Sequence, residues 1–472
     1  MESHSSKWFN VAGPCAPEKH YMLPVLPRLP GVDTLIDKEN YFIVHAPRQS
    51  GKTTFLQELT KKINSEGQYY AFYCSLDSTQ NMVDDDKAIT RVAEQINRAI
   101  KISDISDLVK LAYPDDSLPN PGTSVKISNF LNYLCLNLDK NLIVFFDEAD
   151  CLSGPPLITF LRQIRQGYID RSYSSASKFP RSLALVGLRD IRDSIASNHP
   201  EVAGAGLASP FNVAAERMTL ANFTEREIGA LYRQHTYATG QVFEEQAIAK
   251  AWYWSQGQPW LVNALADIVI AKQLNNDYSV TITKDHLDQA AEILIQRRDT
   301  HIDYLLERLK EQRVINVMEP IFIGDDYWDD KVTDDDISYA IDLGLIKQIN
   351  EISLPANPIY SEAIIRTLTQ RLQKRLPLEL ANRWLDSRSL DVTGLLKGFQ
   401  QFWRQNAEIL GSPYNYKEST PHLVCFAFLQ RVLNGAVEAF NREYALGRRR
   451  LDIEVKYKGV SYPIELKIKR KG

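Results

Sequence analysis

Short apolar runs alternate with amphipathic segments through the first half of the chain. Runs rich in β-branched and aromatic residues predict parallel strands that are buried on both faces. Segments with helical periodicity separate them, so the pattern favours an α/β fold with a five-stranded parallel sheet. The predicted strands are residues 41–45, 69–76, 141–146, 183–188 and 216–220, and the predicted helices are 32–38, the stretch from 54 onward, 86–102, 124–138 and 157–168.

The loop after the first predicted strand has the residue types that bind a polyphosphate. It reads HAPRQSGKTT over residues 45–54, close to the pattern G-x-x-x-x-G-K-[ST]. Gly51 lets the backbone approach the phosphates, Lys52 can reach the β- and γ-phosphate oxygens, and the Thr53 hydroxyl can ligate Mg²⁺. Ala46 replaces the first glycine of the pattern, which a methyl group allows if φ stays negative. The alternative is a chance GKTT in an ordinary loop.

The whole loop is a candidate ATP site because backbone N–H groups and a helix N-terminus converge there. Its predicted nucleotide contacts are Ala46, Pro47, Arg48, Gln49, Ser50, Gly51, Lys52, Thr53 and Thr54.

Two carboxylates follow the apolar run 141–146 at the end of a strand, where α/β sheets bind ligands. Asp147 is expected to hold the magnesium shell with Thr53, and Glu148 to orient or deprotonate the attacking water. Arg189 follows the run 183–188 and is a candidate sensor of the γ-phosphate. An arginine finger is a further possibility, for which the candidates are Arg162, Arg165, Arg171 and Arg189.

Composition narrows the function classes. The chain has 472 residues, enough for about three or four domains, and its formal charge of −4 gives no global attraction to nucleic acid. Five widely spaced cysteines lack metal-ligand spacing and indicate free thiols rather than disulfides or zinc. No apolar run is long enough for a membrane span, and no signal-peptide core is present. We therefore expect a cytoplasmic protein with no membrane partner.

Several motifs together resemble the prokaryotic AAA-like ATPases, a P-loop group related to AAA+ and signal-transduction ATPases. The likeness covers roughly residues 8–300 and rests on the motifs FNVAGP, HAPRQSGKTT, FFDEADCLSG, LRQIRQGY, LVGLRD, LANFT and GQPWLVNALA. The resemblance implies a helical lid in which Pro259 contacts the adenine edge. It also implies a lead-in bordering the adenine pocket, so Tyr21 or Arg28 could touch nucleotide, although a packing strap explains that segment equally well. The predicted domains are a lead-in (1–30), a P-loop core (31–222) and the lid (223–300).

Residues 301–378 look like a winged-helix domain. Helices are predicted over 305–313 and 333–343, a hairpin turns at Asn350 and Glu351, and another helix starts after Asn357 and Pro358. The presumed recognition helix is rich in aspartate, which repels phosphates, so we favour an intramolecular switch over DNA binding.

Residues 379–472 carry the second chemical signal. A helix is predicted over 423–439, followed by a hairpin of strands 451–457 and 460–468 that turns at Lys458 and Gly459. Asp452 begins the first strand, and Glu465 and Lys467 share one face of the second. Two carboxylates and a lysine so arranged can bind a divalent metal and position water, with Asp452 and Glu465 as the metal ligands. The alternative is a solvated hairpin with ordinary surface charges.

This hairpin resembles the PD-(D/E)XK nuclease superfamily, in which Asp452, Glu465 and Lys467 would be catalytic and Glu418 or Glu443 could supply a further glutamate. Members continue past the E-x-K strand with a helix and a strand. Because the sequence reaches only Gly472, we expect the module to be incomplete here.

The sequence thus predicts an ATP- and Mg²⁺-dependent switch coupled to a DNA-endonuclease-like module, with a role in prokaryotic defence or mobile elements suggested by the resemblance. The alternatives are a regulatory ATPase that binds DNA or protein without nuclease activity, and a scaffold that binds ATP without turnover. DNA is the expected partner of the basic C-terminal module, and a homo-oligomer or protein partner stays open.

Overall fold

The protein is described by a computed structural model. It describes residues 7–114, 118–173, 177–187, 213–297, 300–323, 332–350, 352–373, 384, 389–411, 425, 428–429, 439–444 and 451–464. The chain divides into two compact units, one of Met1–Ala291 with Asp342–Gly344, and one of Glu292–Ile341 with Leu345–Gly472.

A five-stranded parallel sheet forms the centre of the first unit, as the sequence predicted. Its order is β2-β3-β4-β1-β5, so β4 lies between β3 and β1 and all four pairings are parallel. The carboxyl ends of β1 and β3 therefore open onto the same edge of the sheet. The strands are β1 (Tyr41–His45), β2 (Tyr70–Ser75), β3 (Leu142–Asp147), β4 (Ser182–Gly187) and β5 (Ala214–Thr219).

Helices cover both faces of this sheet, which explains why its inner strands are apolar throughout. Alternate residues of β1 belong to different cores: Tyr41 and Ile43 lie in one cluster, and Phe42 and Val44 in the other. The helices and helical turns of the unit are α1 (Val32–Asp37), α2 (Lys52–Glu66), α3 (Asp85–Lys101), α4 (Ser106–Lys110), α5 (Lys126–Asn137), α6 (Gly154–Tyr173), and 3-10 turns at Leu26–Arg28, Asp77–Thr79 and Ala149–Cys151.

After the sheet the first unit becomes helical, in the region for which a lid was predicted, and the role of these helices as a lid stays a prediction. The first lid helix begins with a capping box in which Thr224 and Glu227 satisfy each other's backbone N–H groups. Residues 259–267 form an α-helix that continues into a π-helical turn. These elements are α7 (Glu225–Thr239), α8 (Glu245–Ser255), α9 (Pro259–Asp267), the π turn Ile268–Gln273 and α10 (Lys284–Arg297).

Downstream, the structure differs from the single helix predicted over 305–313. Two helices are present, and hydrogen bonds of the i to i−3 type at Leu309, Lys310 and Glu311 end the first one. The hairpin and the helix after it are as expected, with Asn350 in a left-handed turn conformation. The elements are α11 (Thr300–Arg308), α12 (Gln312–Ile323), α13 (Asp334–Asp342), β6 (Ile346–Ile349), β7 (Ile352–Pro355), α14 (Pro358–Gln373) and α15 (Val392–Gly411).

The C-terminal part contains an antiparallel sheet in the order β10-β9-β8. The expected hairpin is present as β9 (Leu451–Tyr457) and β10 (Val460–Ile464), with Lys458 and Gly459 at positive φ in the turn. The pattern did not predict β8 (Ala439–Tyr444), and residue 439 was expected to end a helix instead of beginning this strand. No helix within the described ranges has the length and apolar character needed to cross a bilayer.

Candidate nucleotide site

The loop between β1 and α2 is shaped to hold an anion. The helix begins at Lys52, and Gly51 precedes it with φ of 92° and ψ of 19°, a left-handed conformation that suits glycine. No side chain among the described residues caps this helix N-terminus, so its first N–H groups have no intrahelical or capping side-chain acceptor within that part of the chain. Ala46 is fully buried and is not among the described residues with positive φ, which meets the condition for alanine at this position.

Lys52 lies folded over its own loop. Its Nζ donates to Ala46 O at 2.6 Å and to Pro47 O at 2.9 Å. Burial lowers the pKa of Lys52, and the nearby carboxylates, above all Asp147, oppose that shift. The ammonium is therefore already desolvated and pre-positioned beside the loop.

Ser50 adds an unsatisfied group to the same loop. Its Oγ is buried and has no hydrogen-bond partner among the residues that the structure describes. Buried hydroxyls are nearly always paired, so this atom is suited to a ligand oxygen.

The phosphate loop meets the end of β3 through a direct contact. Thr53 Oγ1 donates to Asp147 Oδ2 at 2.8 Å, and Tyr73 Oη donates to the same oxygen at 3.2 Å. The backbone N–H of Glu148 donates to the other oxygen, Oδ1, at 3.0 Å. Asp147 is 1% exposed, and this burial raises the pKa of its carboxyl, against the effect of its donors.

Glu148 has a backbone conformation that residues other than glycine seldom adopt. Its φ is 56° and its ψ is 37°, a left-handed conformation that is uncommon for a residue with a Cβ and recurs at functional sites. Ser75 Oγ donates to Glu148 Oε2 at 2.6 Å. Burial raises the pKa of Glu148, with a further contribution from the negative charge of Asp147, while the Ser75 bond lowers it. The result is a half-buried carboxylate fixed beside the loop.

These residues fit magnesium-bound ATP. Mg²⁺ in such sites is held by one or two protein oxygens together with substrate phosphates, and Thr53 and Asp147 bring two oxygens together. The open helix N-terminus, the Lys52 ammonium and the Ser50 hydroxyl suit phosphate oxygens. The fit concerns the predicted loop, Asp147 and Glu148, which the fold gathers at one edge of the sheet.

Sequence reasoning missed Ser75 and Tyr73. Both lie on β2, the neighbour of β3, and Ser75 pairs in register with Asp147. A polar residue at the carboxyl end of the strand next to the two carboxylates was the available signal.

The lead-in and the lid both touch the back of the phosphate loop. Arg28 is 5% exposed, donates to Ser50 O and Ala221 O, and stacks 4.9 Å from the ring centre of Phe223. Burial lowers the pKa of Arg28 to about 10, so the guanidinium stays charged at neutral pH. From the lid, Gln258 Nε2 lies 3.3 Å from Gln49 O.

Two expectations drawn from the resemblance concern this region. Pro259 is buried at the first position of α9, directly after Gln258. Tyr21 is also buried, and its hydroxyl lies 3.2 Å from His235 Nδ1 in the lid. The contacts of Arg28 and Tyr21 connect parts of the protein, as a packing strap would, and a nucleotide contact by either remains a prediction.

Of the candidate arginine fingers, Arg171 has a structural explanation. It donates to the backbone carbonyls of Pro180, Arg181 and Glu39 and stacks on Tyr168. Those carbonyls precede β1 and β4, at the end of the sheet opposite the phosphate loop. Arg189 lies outside the described residues, so its predicted sensor role stays a prediction.

The predicted nuclease site is only partly described. Asp452 is the second residue of β9 and pairs in register with Glu443 of β8, which the sequence offered as a further glutamate. Glu465 and Lys467 lie outside the described residues. That these two side chains lie close to Asp452 therefore remains a prediction.

Comparison with solved structures agrees with the architecture of the phosphate loop and sheet. A Walker-type ATPase of Pyrococcus abyssi matches with a TM-score of 0.51 and 14% identity, covering 75% of this chain and 99% of the other. Cdc6p of Pyrobaculum aerophilum (15% identity, 76% and 97% covered) and the ORC2 protein of Aeropyrum pernix (13%, 71% and 89%) have TM-scores of 0.40 and 0.37, too low to add to the comparison. No family model and no curated protein matches the chain. At such low identity the likeness establishes the fold alone, an α/β fold with a parallel sheet like that of the Walker-type ATPase.

Proposed function

We propose that this protein binds Mg²⁺-ATP at the loop between β1 and α2 and hydrolyses it as a molecular switch. The observation that carries the proposal is the 2.8 Å bond from Thr53 Oγ1 to Asp147 Oδ2. It joins the end of the phosphate loop to the carboxylate of β3, the two groups that a P-loop site uses for the metal. The fold shared with the Walker-type ATPase supports the same assignment.

Each residue has a distinct task in the proposed reaction. The N–H groups at the start of α2 and the Lys52 ammonium bind the β- and γ-phosphates and favour the charge that develops on them. Thr53 and Asp147 hold the metal, which neutralises phosphate charge when bound. Glu148, fixed by Ser75, orients the attacking water and accepts its proton.

We further propose the domain division as a P-loop core (31–222), a lid (223–300), a winged-helix domain (301–378) and a nuclease-like module (379–472). Helices α11 to α13 followed by the β6-β7 hairpin and α14 support the winged helix. Two of its aspartates have structural partners: Arg313 pairs with Asp335 at 2.7 Å and with Asp336 at 3.0 Å. These two carboxylates thus have a partner within the domain, and the aspartate-rich sequence of α13 as a whole still favours a switch role over phosphate binding.

We also propose that the C-terminal module is nuclease-like. The antiparallel β8-β9-β10 sheet and the register of Glu443 with Asp452 support it. Its basic residues, Arg448 to Arg450 and Lys469 to Lys471, can attract a DNA backbone despite the acidic whole. The alternative is a regulatory ATPase in which this module binds DNA or a protein partner without cleavage.

Calorimetry with the full chain tests the nucleotide assignment. Titration of Mg²⁺-ATP should give saturable binding with one site per chain, and removal of Mg²⁺ should weaken it. Absence of binding in the presence of Mg²⁺ would overturn the proposed function.

A plasmid assay decides between the nuclease and the regulatory alternative. Supercoiled plasmid is incubated with the protein, Mg²⁺ or Mn²⁺, and ATP, and nicked circles are counted over time. Metal-dependent nicking by the protein supports the nuclease. DNA binding without nicking favours the regulatory ATPase.

A further inference from the structure

Two side chains from different parts of the first unit hold the back of the phosphate loop. Arg28, from the lead-in, donates through its guanidinium to Ser50 O at 2.9 Å. Gln258, from the turn that begins α9, lies with its Nε2 3.3 Å from Gln49 O and 3.5 Å from Arg48 O, at the long end of the hydrogen-bond range. The carbonyls of three consecutive loop residues thus have side-chain donors on one side.

The orientation of these peptides decides where their N–H groups point. In a trans peptide the C=O and the following N–H point to opposite sides, and no cis peptide occurs in the described chain. With Ser50 O turned toward Arg28, the N–H of Gly51 points away from it. The same holds for the N–H groups after Arg48 and Gln49. The side chains therefore turn these N–H groups away from themselves, and a series of consecutive N–H groups so turned can form a concave site for an anion.

The same two side chains are tied to each other through the start of the lid. Arg28 Nε donates to Ala221 O at 2.9 Å, and its guanidinium stacks over Phe223. Phe223 N in turn donates to Gly257 O at 2.9 Å, one residue before Gln258. The contacts form a closed circuit from the loop through Arg28, Phe223 and Gln258 back to the loop.

Glycines mark the two tight points of this circuit. A Cβ at Gly257 would lie 1.8 Å from Phe223 O, and Gly257 also has a positive φ of 75°. A Cβ at Gly51 would lie 3.1 Å from an Arg28 guanidinium nitrogen. A Cβ has little room at either position, so glycine at these two points allows the contacts of the circuit to form.

We propose that Arg28 and Gln258 are positioning residues that fix the N–H groups of the phosphate loop toward the triphosphate and couple the loop to the lid. The proposal rests on the proposed ATP site and goes beyond it by assigning a device outside the catalytic residues. Neither side chain is required to touch nucleotide. Because loop N–H groups bind the phosphates of substrate and transition state alike, disturbing them should act mainly on affinity.

The substitutions are chosen to keep the neighbouring contacts and add no charge. Gln258→Ser keeps an uncharged oxygen that can cap α9, where Leu261 N now donates to Gln258 Oε1 at 2.6 Å, but its side chain is too short to donate to the loop. Arg28→Lys keeps the charge but cannot bridge two carbonyls with a planar fork. Arg171→Lys is the matched control, since Arg171 also donates to backbone carbonyls and stacks on a tyrosine, at the opposite end of the sheet.

Two measurements on the full chain test the proposal. Amide exchange of the nucleotide-free loop, followed by mass spectrometry over residues 46–56, should be at least fivefold faster in Arg28→Lys and Gln258→Ser than in the wild type. Their Kd and KM for Mg²⁺-ATP should rise about tenfold or more while kcat falls less than about threefold. Arg171→Lys should stay within about twofold of the wild type in each quantity.

Exchange, Kd and KM of both variants within twofold of the wild type and of the control would overturn the proposal. If the wild type binds no ATP, the proposed function fails, and the exchange of the nucleotide-free loop still decides the positioning role. Equal exchange in all four proteins then overturns that role as well. Thermal melts identify any variant that fails to fold, and a double variant no worse than either single one would support action through one circuit.

Discussion

Replacing Glu148 by glutamine should abolish turnover and leave ATP binding intact. The amide has the same shape, and its Oε1 can still accept the hydrogen bond from Ser75 Oγ that now ends on Glu148 Oε2 at 2.6 Å. What is lost is the basicity and the negative charge. A positioned general base contributes about 10²–10⁴ in rate, roughly 3 to 5 kcal/mol, so kcat should fall by that factor. Removing a negative charge near the phosphates should not weaken binding.

Ser75→Ala supplies the internal comparison. The bond from Ser75 to the Glu148 carboxylate is charge-assisted, and such bonds contribute about 1.5–3 kcal/mol. If that contribution is lost in the transition state, kcat falls by roughly ten- to a hundredfold, less than in Glu148→Gln. Because Ser75 acts through Glu148, the double substitution should be no slower than Glu148→Gln alone.

Steady-state phosphate release gives kcat for the four proteins, and calorimetry gives the Kd of ATP. The reasoning about Glu148 is refuted if Glu148→Gln retains more than about a third of wild-type turnover. The assignment of Ser75 as its positioning partner is refuted if Ser75→Ala slows Glu148→Gln by the same factor as it slows the wild type.

Three further predictions concern other residues. Lys52→Ala should weaken Mg²⁺-ATP binding at least a hundredfold by calorimetry, since the ammonium is already held at the loop; binding within threefold of the wild type would contradict this. Asp147→Asn should lose Mg²⁺-dependent turnover yet melt at a higher temperature without nucleotide. Burial raises the pKa of Asp147 in the folded protein above its unfolded value of about 3.9. The stability of the wild type therefore falls as the pH rises between these two pKa values. The difference in melting temperature between the variant and the wild type should grow over that pH range and be absent below it. Asp452→Ala, Glu465→Ala and Lys467→Ala should each abolish plasmid nicking and keep DNA binding, which replacement of Arg448, Arg449 and Arg450 should reduce in a salt-dependent way.

The strands of the first unit could be predicted because each is marked by local residue types. The runs around Tyr41 and Leu142 are apolar on both faces, and the loop after the first and the carboxylates after the second carry recognisable chemistry. By contrast, β8 has few apolar residues and no clear alternation of apolar and polar positions. Its local sequence therefore does not distinguish it from the end of a helix. The break between α11 and α12 was also missed, since helical periodicity continues through residues of both.

Contacts between distant parts of the chain could not be predicted from the sequence, for a different reason. Ser75 contacts Glu148 because β2 lies beside β3 in the sheet. The order of the strands is set by the packing of the whole sheet. Arg28 and Ala221 are 193 positions apart, and Gln258 is 209 positions from Gln49. The sequence predicted a phosphate-binding loop, while the groups that we propose to orient this loop are brought to it by the tertiary structure.

The free site is stabilised by internal contacts that ATP must replace. Lys52 is bonded to two carbonyls of its own loop, and Thr53 is bonded to Asp147. Phosphate oxygens and a metal would take over these groups, so binding exchanges hydrogen bonds and does not simply add new ones. The carbonyls on the other side of the loop, held by Arg28 and Gln258, take no part in that exchange. We therefore expect a loop whose shape hardly changes on binding, with any change at Lys52 and Thr53 passed to the lid through the contacts behind it.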